Sequence, residues 1–182
     1  MKILIVSDIH GSLPALEKVL NYYDQHQCEQ LCLLGDILNY GPRNGLPEGL
    51  NPQAIAEHLN ARAASIVAVR GNCDSEVDQM LLHFPIMADY ALVCDGKHRL
   101  FLTHGHIYHE EKLPPLSAAD FFFYGHTHLQ HLTPSDGVGP TICNTGSPTF
   151  PKNGNLPTFA VYEDGQIDIL DLEGNLVASS KV

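Results

Sequence analysis

Basic residues are scarce in this chain: 10 lysines and arginines stand against 21 acids, a net charge of −11 over 182 residues. A nucleic-acid polymer needs a cationic face, so this balance argues against one as a partner. Divalent cations held by the chain would offset several acids locally, which leaves a phosphate-bearing small molecule open. Long apolar runs are missing too. After Met1 and Lys2 only Ile3, Leu4, Ile5 and Val6 follow one another, too few for a signal peptide or a membrane span. The five cysteines, at 28, 32, 73, 94 and 143, include no Cys-x-x-Cys pair. An odd count of scattered thiols without a leader segment points to a reducing, cytoplasmic setting. Cys32, Cys94 and Cys143 stand in strand-like runs and are expected as small core residues. No repeat, low-complexity tract or interdomain linker is visible, so residues 1–182 are expected to form one domain.

What is present suits a buried core: 44% of residues are hydrophobic and 17% charged, outside the disordered regime. Residues 2–7 read as a buried strand. Ser12 is a candidate N-cap for a helix carrying Leu13, Leu16, Leu20 and Tyr23 at helical spacing. Residues 31–34 form a second strand. The Gly-, Pro- and Asn-rich stretch 40–51 reads as an exposed loop, and Asn51-Pro52 as the start of a short helix to about residue 61. Residues 66–69 read as a third strand and 75–83 as a helix. From residue 90 strands dominate: a hairpin around Asp95-Gly96, then 121–124, 141–144, and a second hairpin, 158–163 with 166–172, turning at Asp164-Gly165. The expectation is an α/β chain of two packed sheets with helices on the outer faces.

The ends of these runs carry one kind of chemistry. Asp8 and His10, Asp36, Asn72, His104 and His106, and His126 and His128 occupy five short segments, each after apolar residues. Carboxylate, amide and imidazole ligands without thiolate suit Mn²⁺, Mg²⁺, Fe or Zn²⁺ in open sites rather than a closed structural zinc site. Two such ions about 3.5–4 Å apart can clamp a phosphate and generate a hydroxide nucleophile, and a carboxylate is the natural bridge between them. Gly35, Gly71, Gly105 and Gly125 each stand beside a ligand, where a sharp turn or a close approach is needed. Any one segment alone is ordinary turn chemistry; the ordered set is not.

The order Asp-x-His, Gly-Asp, Gly-Asn, His, Gly-His-x-His resembles the calcineurin-like metallophosphoesterase family, and within it the small bacterial and archaeal phosphodiesterases. The resemblance spans Asp8 to His128. It implies a four-layer αββα sandwich of two mixed sheets flanked by helices, and a site for two divalent ions, Mn²⁺ first. It assigns Asp8, His10 and His128 to one ion, Asn72, His104 and His126 to the other, and Asp36 to both. Asn72 would also touch the substrate phosphate, and His106 would sit beside the ligands or the phosphate. The segment 144–148, Asn-Thr-Gly-Ser-Pro, resembles the family's Asn-Pro-Gly-Ser turn, with Thr145 where proline is usual. Many members carry His after Gly-Asn; this chain has Cys73, a thiol expected to ionise easily beside two dications and unable as thiolate to protonate a leaving group.

The resulting expectation is a phosphodiesterase acting on a small phosphodiester, with homo-oligomerisation open. Two rivals stand beside it. A phosphomonoesterase, including a phosphoprotein phosphatase, needs cations to hold a dianion, and this chain has few. An interaction scaffold of the same fold loses metal ligands, whereas all seven positions here are competent. Arg43, in the 40–51 loop, is a candidate phosphate contact set against the commoner solvated role. His26, His58, His83 and His98 are expected as surface or hydrogen-bonded structural residues. Nothing in the spacing of His109 and His131 demands a role. Residues 121–124, Phe-Phe-Phe-Tyr, are expected as a buried strand rather than a base-stacking platform.

Overall fold

Ile3 and Ile5 leave the first strand on one side and Leu4 and Val6 on the other, and all four are fully buried, so this strand must be covered on both faces. In the computed structural model, which describes residues Met1–Val182, that strand is β1 (Lys2–Val6). It lies inside a six-stranded sheet with β2 (Gln30–Leu33), β3 (Ile66–Ala68), β9 (Thr158–Glu163), β10 (Gln166–Asp171) and β11 (Leu176–Lys181), ordered β11-β10-β9-β1-β2-β3. A five-stranded sheet, ordered β4-β5-β6-β8-β7, holds β4 (Tyr90–Asp95), β5 (His98–Thr103), β6 (Phe121–Tyr124), β7 (His131–Thr133) and β8 (Thr141–Asn144). Each sheet mixes parallel and antiparallel pairs.

The inward faces meet in one apolar layer. Ile3, Ile5, Cys32, Phe121, Phe123 and Tyr162 are among its members. The outer face of the first sheet, through Leu4, Val6, Leu31 and Leu33, packs on Leu16, Val19 and Leu20 of α1 (Leu13–Gln25) and Ile55 and Leu59 of α2 (Pro52–Asn60). Both helices start as read from the sequence: Ser12 accepts from the Ala15 amide at 3.4 Å and Asn51 from the Ala54 amide at 3.1 Å. A third helix, α3 (Glu76–Leu81), buries only Asp78. The outer face of the second sheet is covered differently from the helical layer expected. Phe101, Phe122 and Tyr124 pack under Tyr108 and Leu116, from a segment, 104–120, that holds no helix. Pro114-Pro115 lies within it, and consecutive prolines remove two amide donors and push the preceding backbone out of the helical region.

Cys94 departs from expectation. Cys32 and Cys143 are buried, but Cys94 is exposed on β4, an edge strand whose alternate residues face solvent. Strands β7 and β11 were not foreseen, because both are short or edge elements with mostly exposed side chains. The 158–172 hairpin turns at Asp164 and Gly165, both with positive φ, the backbone a tight two-residue hairpin requires.

One consequence of this topology positions the site. Strands β1, β2 and β3 run parallel, and so do β5, β6 and β8. Each trio therefore ends at one edge of its sheet, every candidate ligand lies just past one of those ends, and the His126 amide donating to Asp8 at 2.8 Å brings the two edges together. Such crevices beyond the carboxyl ends of parallel strands are where open α/β sheets place their ligands.

Candidate metal centre

The backbone past these strand ends is strained. Eight non-glycine residues have positive φ; five of them are Asp8, His10, Asp36, His126 and His128, with φ between 51 and 65°. Each left-handed L-residue costs about 1–2 kcal/mol, and such strain persists where the surroundings over-determine it, typically at functional sites. Close approach adds to it. A Cβ on Gly125 would stand 2.1 Å from Ser7 Oγ and 2.6 Å from Asp8 Oδ2, so only glycine lets the end of β6 close onto the end of β1.

The carboxylates share one arrangement: one oxygen holds a backbone amide and the other faces the site. Asp8 Oδ2 accepts the His126 amide at 2.8 Å. Asp8 Oδ1 is buried with no hydrogen-bond partner, although imidazole nitrogens of His128 and His10 stand 3.2 and 3.5 Å away. Asp36 Oδ1 accepts the Cys73 amide at 2.7 Å. Asp36 Oδ2 lies 3.4 Å from His104 Nε2 and 3.7 Å from His10 Nε2, between the two imidazole groups.

Three imidazoles are oriented by main-chain carbonyls. The Nδ1–H groups of His10, His104 and His128 donate to the carbonyls of Asn39, Leu34 and Phe150 at 2.8, 2.7 and 2.8 Å. A carbonyl only accepts, so Nδ1 carries the proton and Nε2 is turned to the site, the arrangement that orients metal-bound histidine. The Nε2 atoms of His10 and His128 are 3.2 Å apart, and His104 Nε2 is 3.0 Å from Asn72 Oδ1. His126 and His106 are less closely engaged: their ring centres lie 5.0 and 5.3 Å from that of His104. His106 Nδ1 is buried without a partner.

The donors converge as a cation would require. Asp8, His10 and His128 offer ligand atoms within 4.8 Å of one another, as do Asp8, Asp36 and His104. A buried carboxylate oxygen with no donor, facing crowded imidazole nitrogens, fits a bound cation. The electrostatics agree. Burial alone would raise the Asp8 carboxyl, but the imidazoles of His104, His10 and His128 outweigh it and hold it well below the usual range. Burial alone would lower His104, but the charges of Asp8 and Asp36 push it up to about 9. His10 is raised in the same way by Asp8. Asp8 and Asp36 thus favour positive charge beside them. His106 and His126 go the other way, lowered by burial and by His104.

Cys73 Sγ also comes within 4.8 Å of ligand atoms of His10 and Asp36, nearer the centre than a thiol-free ligand set implies. The protein's own groups oppose its ionisation: burial, then the Asp36 charge, push the thiol up to about 12. An easily formed thiolate here depends entirely on cations.

The sequence assigns no role to three supports, although it singles out the 144–148 turn that carries two of them. Buried Asp74 accepts from the amides of Asp36, Ile37 and Gly71 at 2.8, 3.0 and 2.7 Å, clasping the turn after β2 to the turn after β3. Its place after Gly-Asn-Cys was the one available signal. Ser147 Oγ and Thr149 Oγ1 donate to the carbonyls of Asp8 and Ile9 at 2.8 and 2.7 Å, so the turn at 144–148 buttresses the backbone under the ligands. Asn144 Nδ2 donates to the Gly125 carbonyl at 3.1 Å and Thr127 Oγ1 at 2.8 Å, steadying the His126–His128 turn. The centre opens into a cleft of about 870 Å³ lined by Asp36, Asn72, Cys73 and His126, together with Arg43 and Lys152. Of the other histidines, His98 is the hydrogen-bonded structural residue expected, donating from Nδ1 to the Ala119 carbonyl at 2.6 Å.

Comparison with known proteins gives a consistent picture. The calcineurin-like phosphoesterase superfamily domain matches residues 1–165. Phosphodiesterase YfcE of Escherichia coli (strain K12) is 49% identical over 172 residues, 94% of this chain and 92% of that protein. Phosphodiesterase MJ0936 of Methanocaldococcus jannaschii is 29% identical over 165 residues, 82% of this chain and 90% of that protein. A solved structure of E. coli YfcE, described as a phosphoesterase, superposes with a TM-score of 0.95 at 46% identity, covering 100% of this chain and 99% of that one. Vacuolar protein sorting 29 from Cryptosporidium parvum shares the fold, with a TM-score of 0.64 at 16% identity over 100% of this chain and 97% of that one.

Proposed function

Because this chain belongs to the calcineurin-like phosphoesterase superfamily, we propose that residues 1–182 form one metal-dependent phosphodiesterase unit, using two divalent ions with Mn²⁺ preferred, on a small phosphodiester in the cytoplasm. The observation that carries the reading is the unpartnered Asp8 Oδ1 set against imidazole Nε2 atoms, with Asp36 Oδ2 between His10 and His104. Asp8, His10 and His128 would hold one ion, Asn72, His104 and His126 the other, and Asp36 would serve both. Bound there, the ions supply Lewis acidity and a deprotonated water at neutral pH.

The residues have separate tasks. The carbonyl-anchored imidazoles hold Nε2 at fixed positions, so no reorganisation is needed as charge develops. Asn72, in the cleft wall, turns Oδ1 to His104 at 3.0 Å and Nδ2 to Cys73 Sγ at 3.3 Å, from where Nδ2 would donate to a non-bridging phosphate oxygen. His106 adds an imidazole beside His104 and His126, with ring centres 5.3 and 6.1 Å away. Cys73 occupies the place where a proton donor to the leaving oxygen would be useful and donates poorly. Good leaving groups are therefore favoured. The monoesterase reading is weaker, because no arginine is buried among the ligands to grip a dianion. No helix is long and apolar enough to cross a membrane.

The test is hydrolysis of matched aryl phosphodiester and phosphomonoester substrates by metal-stripped protein with Mn²⁺ restored. Diester activity that exceeds monoester activity and vanishes in Asp36→Asn is expected. A folded protein inactive with every divalent ion would favour the scaffold reading instead.

A further inference from the structure

Two clefts meet at the centre, and they carry opposite charge. The first, beyond His10 and His128, is lined by Arg43 and Lys152. The second, about 740 Å³ and beyond His126, is lined by His106, Glu110 and Glu111. They share His126, Thr127 and Leu129 as a common sill. In a chain with 21 acids and 10 bases, two of the bases flank one cleft, and the ion pairs that occupy Lys2, Lys18, Arg62 and Arg99 have no counterpart at Arg43 or Lys152.

Both cations stand close in the chain to groups that touch metal-ligand candidates. The amide of Lys152 donates to the His128 carbonyl at 3.1 Å. Arg43 adjoins Asn44, whose Nδ2 lies 3.4 Å from His10 Nε2 and donates to the Tyr40 carbonyl at 2.9 Å. That turn is held against the centre, since a Cβ on Gly41 would stand 3.0 Å from Cys73 Sγ. In the second cleft Glu110 is engaged by the Tyr124 hydroxyl and lies 3.7 Å from His131 Nε2, while Glu111 is exposed and unpaired. An anion on the first side meets two free cations; on the second it meets two carboxylates.

Building on the phosphodiesterase reading, we propose that the substrate is an asymmetric phosphodiester with one arm ending in a further anionic group, phosphate or carboxylate, that Arg43 and Lys152 hold in the first cleft. The second cleft takes the neutral or cationic arm. Charge of opposite sign at the two ends fixes which way round the diester lies, a discrimination that works by repulsion as well as attraction. Arg43 and Lys152 are thus specificity residues.

The test uses three p-nitrophenyl phosphodiesters whose second arm is propyl, 3-carboxypropyl or 3-phosphonooxypropyl. Water's oxygen bonds to phosphorus, the bond to the aryl oxygen breaks, and p-nitrophenolate leaves. With Mn²⁺-loaded protein, kcat/KM for one or both anionic arms is expected to exceed that for propyl by roughly fivefold, since each exposed pair contributes modestly. The comparison of the two anionic arms identifies phosphate or carboxylate. The preference is expected to reside in KM, to shrink at high salt, to collapse toward one in Arg43→Gln/Lys152→Gln, and to invert in Arg43→Glu/Lys152→Glu. Lys97→Gln, in the β4–β5 turn, is expected to keep the wild-type preference. Hydrolysis of all three esters without preference, or a preference that survives the double substitution, overturns this proposal alone. No hydrolysis of any ester by metal-loaded, folded protein overturns the phosphodiesterase reading and the proposal with it.

Discussion

Gly71→Ala isolates the geometry on which the centre depends. The backbone at Gly71 does not require glycine, because its φ is not positive. The side chain is the problem. A Cβ there would stand 2.1 Å from Asp36 Oδ1, 2.3 Å from Asp36 N and 2.8 Å from Asp36 Cγ, where real Cβ contacts stay beyond 3.0 Å. Relief requires the Asp36 carboxylate to retreat by about 0.9 Å, several times the roughly 0.2 Å that metal–ligand distances tolerate. The Gly71 amide also donates to Asp74 at 2.7 Å, so the retreat loosens the clasp. Overpacking of this kind costs about 1–3 kcal/mol, or a Tm lowered by roughly 2–12 °C in a domain of this size. The larger effect falls on function: a 1 Å displacement of a reacting group costs about 10²-fold in rate. Thermal melts, bound metal per chain and aryl diester hydrolysis measure all three. G71A protein that melts within a degree of wild type, binds its full metal and hydrolyses the diester within twofold would refute the reasoning that Asp36 is held by contact with Gly71.

Further substitutions and conditions probe other links. Asp74→Ala leaves three buried amides without an acceptor and is expected to cost about 3 kcal/mol or more, seen as a lower urea midpoint together with weaker Mn²⁺ binding in a titration. Stability of the metal-free protein should fall with rising pH. The folded His104 is raised to about 9 from 6.5, so its contribution is complete below pH 6.5, is lost as pH rises through 9, and amounts to about 3 kcal/mol at most. Melting curves in chelator should show that decline, while Mn²⁺-loaded protein, its ligands already deprotonated, should not. Cys73→His, supplying a proton donor, is expected to raise kcat on alkyl phosphodiesters by about tenfold, below the full 10²–10⁴ of an evolved acid, and to change p-nitrophenyl hydrolysis little. A steady-state comparison that finds no gain on any diester would refute that role.

The candidate ligands were readable because each follows an apolar strand, and local order along the chain survives folding. Asp8, His10, Asp36, Asn72, His104 and His128 are brought into one cluster, and His126 stands at its margin. What escaped the sequence depends on the third dimension. Asp74 looks like ordinary turn chemistry until its three amide donors, from two different loops, are seen together. The left-handed backbone at His10, His126 and His128 has no local signature, since tertiary contacts impose it. Lys152 lies 24 residues past His128 and reaches the cleft through one backbone hydrogen bond. Cys94 failed as a core residue because an edge strand shows one face to solvent. The outer layer over Phe122 carries Pro114-Pro115, which local propensity alone could have flagged as non-helical.

Crystals grown with Mn²⁺ and measured near its absorption edge address the account at its centre. Two anomalous peaks are expected per chain, one among Asp8, His10 and His128, the other among Asn72, His104 and His126, with Asp36 contacting both. A single peak, or none, in crystals of protein that hydrolyses the diester would contradict it.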